Sequence, residues 1–224
     1  MPRVVLAWSG GKDSLMALGA LRADPAYDVL GLVTTVSAVH DRISIHGIRR
    51  SILALQCASL GLPCVEAVLP AAPSNADYER VWAEALATAR RQWGGFSGVA
   101  YGDLFLADIR AYRDRQLGAL GLATHYPLWL QDTKALARGF VAAGHEACVT
   151  CVDTTLLDGA FAGRRYDEAL LDALPASVDA CGENGEFHTC VVGGPLFAQA
   201  IAVTTGERVL REGRFQYVDL IEAR

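Results

Sequence analysis

Val4-Val5-Leu6-Ala7-Trp8-Ser9-Gly10-Gly11-Lys12-Asp13-Ser14 runs an apolar strand directly into a turn the size of a phosphate group. An unbroken apolar run is what a strand covered on both faces requires. The two glycines let the backbone come close to an anion, and a helix starting near Asp13 adds unpaired amides and the positive end of its dipole. Lys12 contributes a charge and Ser14 a hydroxyl. The five fixed residues of Ser-Gly-Gly-x-Asp-Ser, each at a background of about 7% or less, coincide at a given position on the order of once in a million, which sets chance aside. The plain alternative is a glycine turn whose helix is capped by Ser9 or Asp13 and which holds no ligand.

Spacing excludes two better-known phosphate loops. There is no Gly-x-x-x-x-Gly-Lys-Ser/Thr, and no Gly-x-Gly-x-x-Gly follows the first strand. What is left resembles the PP-loop of the ATP pyrophosphatases. That resemblance implies that Ser9, Gly10, Gly11, Lys12, Asp13 and Ser14 hold the pyrophosphate end of ATP while the α-phosphate is attacked. The chemistry implied is adenylyl transfer with loss of pyrophosphate, assisted by Mg²⁺ with Asp13 as a ligand.

A chain of 224 residues suffices for one α/β core with a smaller lobe. Hydrophobic residues make up 52% and charged ones 20%, without charge blocks, so the whole chain is expected to fold. A formal charge of -5 argues against a surface dedicated to nucleic acid. The start, Met1-Pro2-Arg3-Val4, enters a strand without the long apolar segment of a signal peptide, and no run approaches a membrane span. A cytoplasmic protein with six free thiols is expected.

The first half alternates apolar strands with amphipathic helices, the pattern of a doubly wound parallel sheet. Strands are predicted at Val4 to Trp8, Val29 to Val36, Cys64 to Leu69, Val99 to Tyr101 and Thr124 to Tyr126. Helices are predicted at Ser14 to Arg22, from near His46 to Gly61-Leu62-Pro63, between Asn75 and Trp93, and at Ile109 to Leu120. After Pro127-Leu128-Trp129 the pattern changes to a helix near Thr133 to Ala143, a strand near Ala147 to Val152, a helix near Asp167 to Leu174 and further strands. The expected division is 1–126, an ATP-binding domain, and 127–224, a substrate-binding α+β lobe. An exposed apolar patch on that lobe would allow a homodimer.

Ligands of an open parallel sheet sit at the carboxyl ends of its strands. Thr34 and Thr35 end the second strand, where the PP-loop resemblance implies that backbone groups hold the adenine. Gly102-Asp103 follows the fourth; the glycine permits close approach and the carboxylate suits ribose, Mg²⁺ or substrate, although such a pair is also an ordinary turn. Farther on, Glu183 and Glu186 flank the Asn184-Gly185 turn. A tight turn aims both carboxylates into one cleft, where they suit an ammonium ion, Mg²⁺ or a proton from an attacking amine. A simple Asn-Gly hairpin is the alternative. Arg49 and Arg50, in a polar cluster with His40, Asp41, Arg42 and His46, are able to fork onto an anion.

Ser-Gly-Gly-Lys-Asp-Ser, His46-Gly47-Ile48-Arg49, Gly102-Asp103, Pro127-Leu128-Trp129 with Asp132, and Gly182-Glu183-Asn184-Gly185-Glu186-Phe187 occur in an order that resembles the diphthine-ammonia ligase family across nearly the whole chain. The resemblance implies a carboxylate activated as an acyl adenylate and then amidated by ammonia or an amine. Lys12 and Asp13 would act on the ATP side, and Glu183 and Glu186 on the substrate or ammonia side. Substrate contacts would fall to His46, Arg49, Asn184, His188 and Thr189. Relatives acting on diphthine carry Glu-Gly-Gly-Glu followed by an aromatic, Glu and Thr. Here Asn184 replaces a glycine and His188 a glutamate, so a small carboxylate is as admissible a substrate as a protein-borne one.

Cys148 and Cys151 have the spacing of a zinc or redox pair, but in a regular strand residues three apart face opposite sides. Cys181 and Cys190 flank the acidic turn, and a hairpin there would bring them together beside His188 as a metal or reactive site. Two other functions compete with ligation. RNA thiolation lacks room for a basic RNA-binding domain. A nucleotide-binding sensor without turnover has little use for a second acidic cleft.

Overall fold

The computed structural model describes residues 1–223. Six strands form the first sheet: β1 (Arg3–Ala7), β2 (Asp28–Ser37), β3 (Arg42–Ile43), β4 (Cys64–Leu69), β5 (Gly98–Ala100) and β6 (Ala123–His125). The parallel strands run β4-β2-β1-β5-β6, with β3 paired antiparallel to the end of β2. Strand order reverses between β1 and β5. The crevice that a reversal opens therefore falls where Ser9–Ser14 leaves β1 and Gly102-Asp103 leaves β5.

Apolar periodicity distributes the helices. On one face α3 (Asn75–Trp93) and α4 (Ala107–Ala119) cover Val5, Val33 and Val99 through Val81, Trp82, Ala85, Leu86, Ala89 and Leu117. Helix α3 begins in a capping box, with Asp77 N–H donating to Ser74 Oγ and Asp77 Oδ2 accepting from Ser74 N–H. On the other face α1 (Lys12–Ala23) and α2 (Arg50–Leu60) bury Leu15, Leu18, Leu21, Ile52 and Leu53. Gly61 ends α2 at φ 66, a left-handed conformation that explains the glycine.

Helix α5 (Thr133–Ala142) and the short α6 (Glu168–Ala173) accompany a second, antiparallel sheet of order β8-β7-β10-β9. Its strands are β7 (Glu146–Asp153), β8 (Phe187–Gly193), β9 (Val203–Arg211) and β10 (Phe215–Glu222). Phe140, Val149, Phe187, Cys190 and Val218 share one core with Leu6, Leu15 and Ile52. The two sheets thus bury apolar surface against each other, and α1 and α2 lie between them.

Two expectations change. Helix α2 starts at Arg50 rather than near His46, because Arg42 and Ile43 pair with Ser37 and Val36 and the chain must turn back first. Ile43 N–H donates to Ile48 O at 2.8 Å across that turn, and Gly47 takes φ 67 within it. The alternation argument for Cys148 and Cys151 also fails. A bulge between Val149 and Cys151 sets Cys148 opposite Cys190 and Cys151 opposite His188, two positions that share a face of β8.

Arg42 and Arg49 both bind Asp219 on β10, Arg42 Nη1 donating at 2.7 Å and Arg49 Nε at 3.0 and 3.1 Å. Arg50 binds Glu66 and Asp41. Neither arginine of the predicted anion fork is free, since carboxylates of the fold occupy them. Burial works against ionisation of Asp219, yet the bonds from Arg49 and Arg42 outweigh it and bring the carboxyl down to about 2. A depressed acid contributes stability above its unfolded pKa and loses it as pH falls through the folded one. Asp219→Asn is therefore expected to cost about 1 kcal/mol at pH 7, discounted for the exposed arginines. In urea titrations that difference should close between about pH 4 and 2.

Candidate active site

Ser9–Ser14 is built with its own hydroxyls. Gly11 N–H donates to Ser9 Oγ at 3.3 Å, Ser9 Oγ to Ser14 Oγ at 3.2 Å, and Ser14 Oγ to Gly11 O at 2.8 Å. Gly10 holds φ 75, open to glycine at little cost. The N-cap of α1 is Gly11, which offers no side chain, and the cap comes from β8: Thr189 Oγ1 accepts from Lys12 N–H at 3.0 Å. Next to it Val191 N–H donates to Gly10 O at 2.8 Å. Gln56 of α2 fills the remaining space, donating to Gly10 O at 3.1 Å and Val191 O at 2.8 Å while accepting from Trp8 Nε1 at 3.0 Å.

Lys12 is only 1% exposed, and its side chain turns toward the second sheet. Nζ binds Asp13 Oδ2 at 2.9 Å and the carbonyl of Cys181, with the rings of Tyr166 and Phe187 at 5.5 and 5.2 Å. Burial opposes its charge, but Asp13 foremost overrides that and keeps the ammonium above its ordinary range. The lysine reaches the segment around Cys181, where sequence reasoning placed it on phosphate.

Across the crevice Gly102 packs on the start of α1; a β-carbon there would stand 2.8 Å from the backbone carbon and oxygen of Asp13. Asp103 accepts from Arg113 Nη1 at 2.7 Å. Glu183 Oε1 accepts from Leu104 N–H at 2.7 Å, with Phe105 N–H at 3.4 Å. Burial, reinforced by the negative charges of Asp13 and Asp103, outweighs those bonds and lifts the Glu183 carboxyl to about 7. Burial likewise raises Asp13 and Asp103 above the usual carboxylate range, against the pull of Lys12 and Arg113 respectively. Asp13 Oδ1 is buried and has no hydrogen-bond partner in the protein.

Glu186 does not join this group. It is 3% exposed, and its oxygens accept from Asp179 N–H at 2.9 Å, Asn184 N–H at 3.0 Å and Asn184 Nδ2 at 3.0 Å. The Asn184-Gly185 turn therefore folds around Glu186 and sends only Glu183 toward the crevice. Nor is the segment a hairpin. Strand β8 begins at Phe187 and pairs with β7, so Cys181 lies beside Lys12 with its thiol on Thr133 O at 3.4 Å, apart from Cys190 beside Gln56. Among the described residues no three His, Cys, Asp or Glu side chains form a metal-holding group.

His46 sits over the loop. Its Nδ1 lies 3.0 Å from Thr189 O, and a β-carbon on Gly11 would stand 2.8 Å from its Cε1. The His188 ring is 4.6 Å away, tilted by 42°. Burial holds both imidazoles neutral, His46 down to about 4 and His188 well below its ordinary value. His188 in turn lines a cavity of about 760 Å³, with Thr35, Ser44, Tyr78, Cys151 and Tyr217 also on its wall. Thr35 O is taken by Ser44 N–H at 3.0 Å, whereas the buried Thr34 Oγ1 has no partner. Sequence reasoning missed Gln56 and Asp219. A glutamine on the apolar face of α2 was the available signal for the first; nothing local marks the second.

A parallel sheet with Ser-Gly-Gly-Lys-Asp-Ser at its switch point, joined to an antiparallel second sheet, is the fold of PP-loop proteins carrying a C-terminal lobe. More narrowly, the chain belongs to the diphthamide synthase family: the model of that family's N-terminal domain matches residues 2–122 and the model of its C-terminal domain residues 132–220. No curated protein matches the chain. Family membership makes it an ATP-using amidating ligase. No helix among the described residues is long and apolar enough to cross a membrane.

Substitution should separate the turn that Glu186 holds together from the close contact that Gly102 makes with the loop. Glu186→Ala strips three donors of their acceptor and is expected to lower unfolding free energy by about 2–4 kcal/mol. Gly102→Ala must push backbone aside and is expected to cost about 1–3 kcal/mol together with ATP affinity. Thermal melts and ATP titrations of both variants check this: loss of ATP affinity without loss of stability in Glu186→Ala would contradict the structural role assigned to that carboxylate.

Proposed function

We propose that the protein adenylates a substrate carboxylate with ATP, releases pyrophosphate, and transfers the acyl group to ammonia or an amine to give an amide and AMP. The observation that carries this reading is Glu183, a carboxyl poised near neutrality, facing Asp13 and Asp103 across the crevice from the loop. A carboxylate resists amines because oxide is a poor leaving group, and adenylation supplies a better one. The carboxylate oxygen attacks the α-phosphorus as pyrophosphate departs. The nitrogen lone pair then attacks the acyl carbon and AMP leaves; a bound ammonium ion must give up one proton to expose that lone pair and a second after the attack.

Glu183 is the group fitted to take the first of these protons, since an efficient general base has a pKa near the working pH. Asp103 and Glu183 together favour an ammonium ion over a second anion, which assigns them to the nitrogen side. Glycines 10, 11 and 102 supply close backbone approach for the phosphates, and the positive end of α1 favours their charge. Asp13 Oδ1, buried and unpaired, fits a Mg²⁺ ion. The ion's contribution when bound is neutralisation of phosphate charge. Residues 1–126 would form the ATP-binding unit and 127–224 the substrate-binding unit. The cavity beside His188 has the volume of a small-molecule site and suits the body of a small carboxylate or of a protein side chain.

Labelled ATP incubated with Mg²⁺, ammonium and a panel of carboxylates is expected to yield AMP and pyrophosphate only when the right acid is present. ADP and phosphate would sink the mechanism, and binding without turnover across the panel would favour a sensor. The rate should rise with pH through about 7 as Glu183 ionises and then level off. Glu183→Gln is expected to lower kcat by about 10²-fold or more and to abolish that rise; a profile unchanged in the variant would remove Glu183 from the role.

A further inference from the structure

We infer that His46 answers the charge of pyrophosphate at the Ser9–Ser14 loop by taking a proton from solvent on Nε2 as the anion binds, and returns it when the anion leaves. This rests on the reading of that loop as a pyrophosphate site.

The geometry supplies both halves of such a device. The Thr189 carbonyl can only accept, so at 3.0 Å it requires the proton of neutral His46 to sit on Nδ1. Nε2 is left with a bare lone pair. The same ring lies against Gly11, since a β-carbon there would meet Cε1 at 2.8 Å. An anion approaching the glycine amides therefore meets the edge of this imidazole.

Burial above all keeps the ring neutral without an anion, and the charges around it do not oppose that. Lys12 on α1 is positive, and its attached Asp13 is already engaged by Nζ. From β8 comes the neutral His188, and from β7 the Cys151 thiol opposite it. From β10 come the Tyr217 ring against Gly47 and Asp219, whose charge is matched by Arg42 and Arg49. Among the described residues no unmatched negative charge faces His46. Opposite charge within about 4–6 Å lifts a pKa by about 1–3 units, and pyrophosphate brings several charges. A ring held down to about 4 alone is thereby raised to about 5–7 when the anion is present.

The test uses the full chain, inorganic pyrophosphate and two-bond proton–nitrogen spectra of the histidine rings at pH 6, with His46→Gln to assign the signals. Glutamine keeps a donor for Thr189 O; if it fails to fold, His46→Asn serves the same assignment. The expected result is a neutral His46 with its proton on Nδ1 before addition and an imidazolium afterwards. Wild-type affinity for pyrophosphate, relative to His46→Gln, should also fall about tenfold between pH 6 and 8. Backbone shifts at Gly11 and Lys12 with His46 still neutral would overturn this inference alone. No shift at Gly11 at any pyrophosphate concentration would overturn the loop reading and this inference with it.

Discussion

The hydrogen bond from Lys12 N–H to Thr189 Oγ1 joins residues 177 apart in sequence, and the architecture of the site depends on it. The first turn of any helix leaves amides without partners, and a side chain at the N-cap ordinarily satisfies one of them. An anion loop cannot use that solution. Its N-cap must be glycine so that phosphate can approach, and glycine has nothing to offer. The cap has to arrive from elsewhere, and β8 supplies it, with Val191 and Gln56 completing the polar contacts around Gly10. The second sheet is therefore a structural part of the ATP loop as well as its neighbour. The shared core through Leu15, Ile52, Phe187 and Cys190 is the apolar counterpart of the same attachment.

The acidic turn shows how two residues of one type, three apart, acquire different work. Glu186 gains three donors from its own loop and becomes the post around which Asn184-Gly185 folds. Glu183 gains only the amides at Leu104 and Phe105, too little to offset burial beside two other carboxylates. One carboxylate is spent on holding its own turn together, and the other faces the crevice, where burial outweighs its two hydrogen bonds and lifts it to about 7.

Much of this was legible in the sequence. Continuous apolar runs located β1, β2 and β4, and the three-and-four spacing of Tyr78, Val81, Trp82, Ala85, Leu86 and Ala89 located α3 to the residue. Switch-point logic brought Gly102-Asp103 to the loop. Reading failed where the deciding partner was remote. Arg49 carries no local sign that Asp219 will take its fork, and Glu186 none that the Asp179 amide will turn it inward. The bulge in β7 defeated alternation, because one extra residue moves every following side chain to the other face. Local periodicity reports what one element buries; it does not report which buried polar groups find one another.

The position of Lys12 separates two electrostatic regions that the proposed chemistry needs to keep apart. Adenylation handles anions, and amidation handles a cation that must lose a proton. His46 and His188 lie together against Gly11 and Thr189, while Asp103 and Glu183 share one field of like charge with Asp13. Were Lys12 paired with Glu183, it would hold that carboxylate ionised and lower its pKa away from neutrality. Instead its ammonium is spent on Asp13 and the Cys181 carbonyl, between the faces of Tyr166 and Phe187. That leaves Glu183 within the field of Asp13 and Asp103, which together with burial lifts its carboxyl to about 7, the condition for a base that works near that pH. The lysine thus shapes the chemistry by where its charge is withheld, while the same contact pins the segment that carries Glu183.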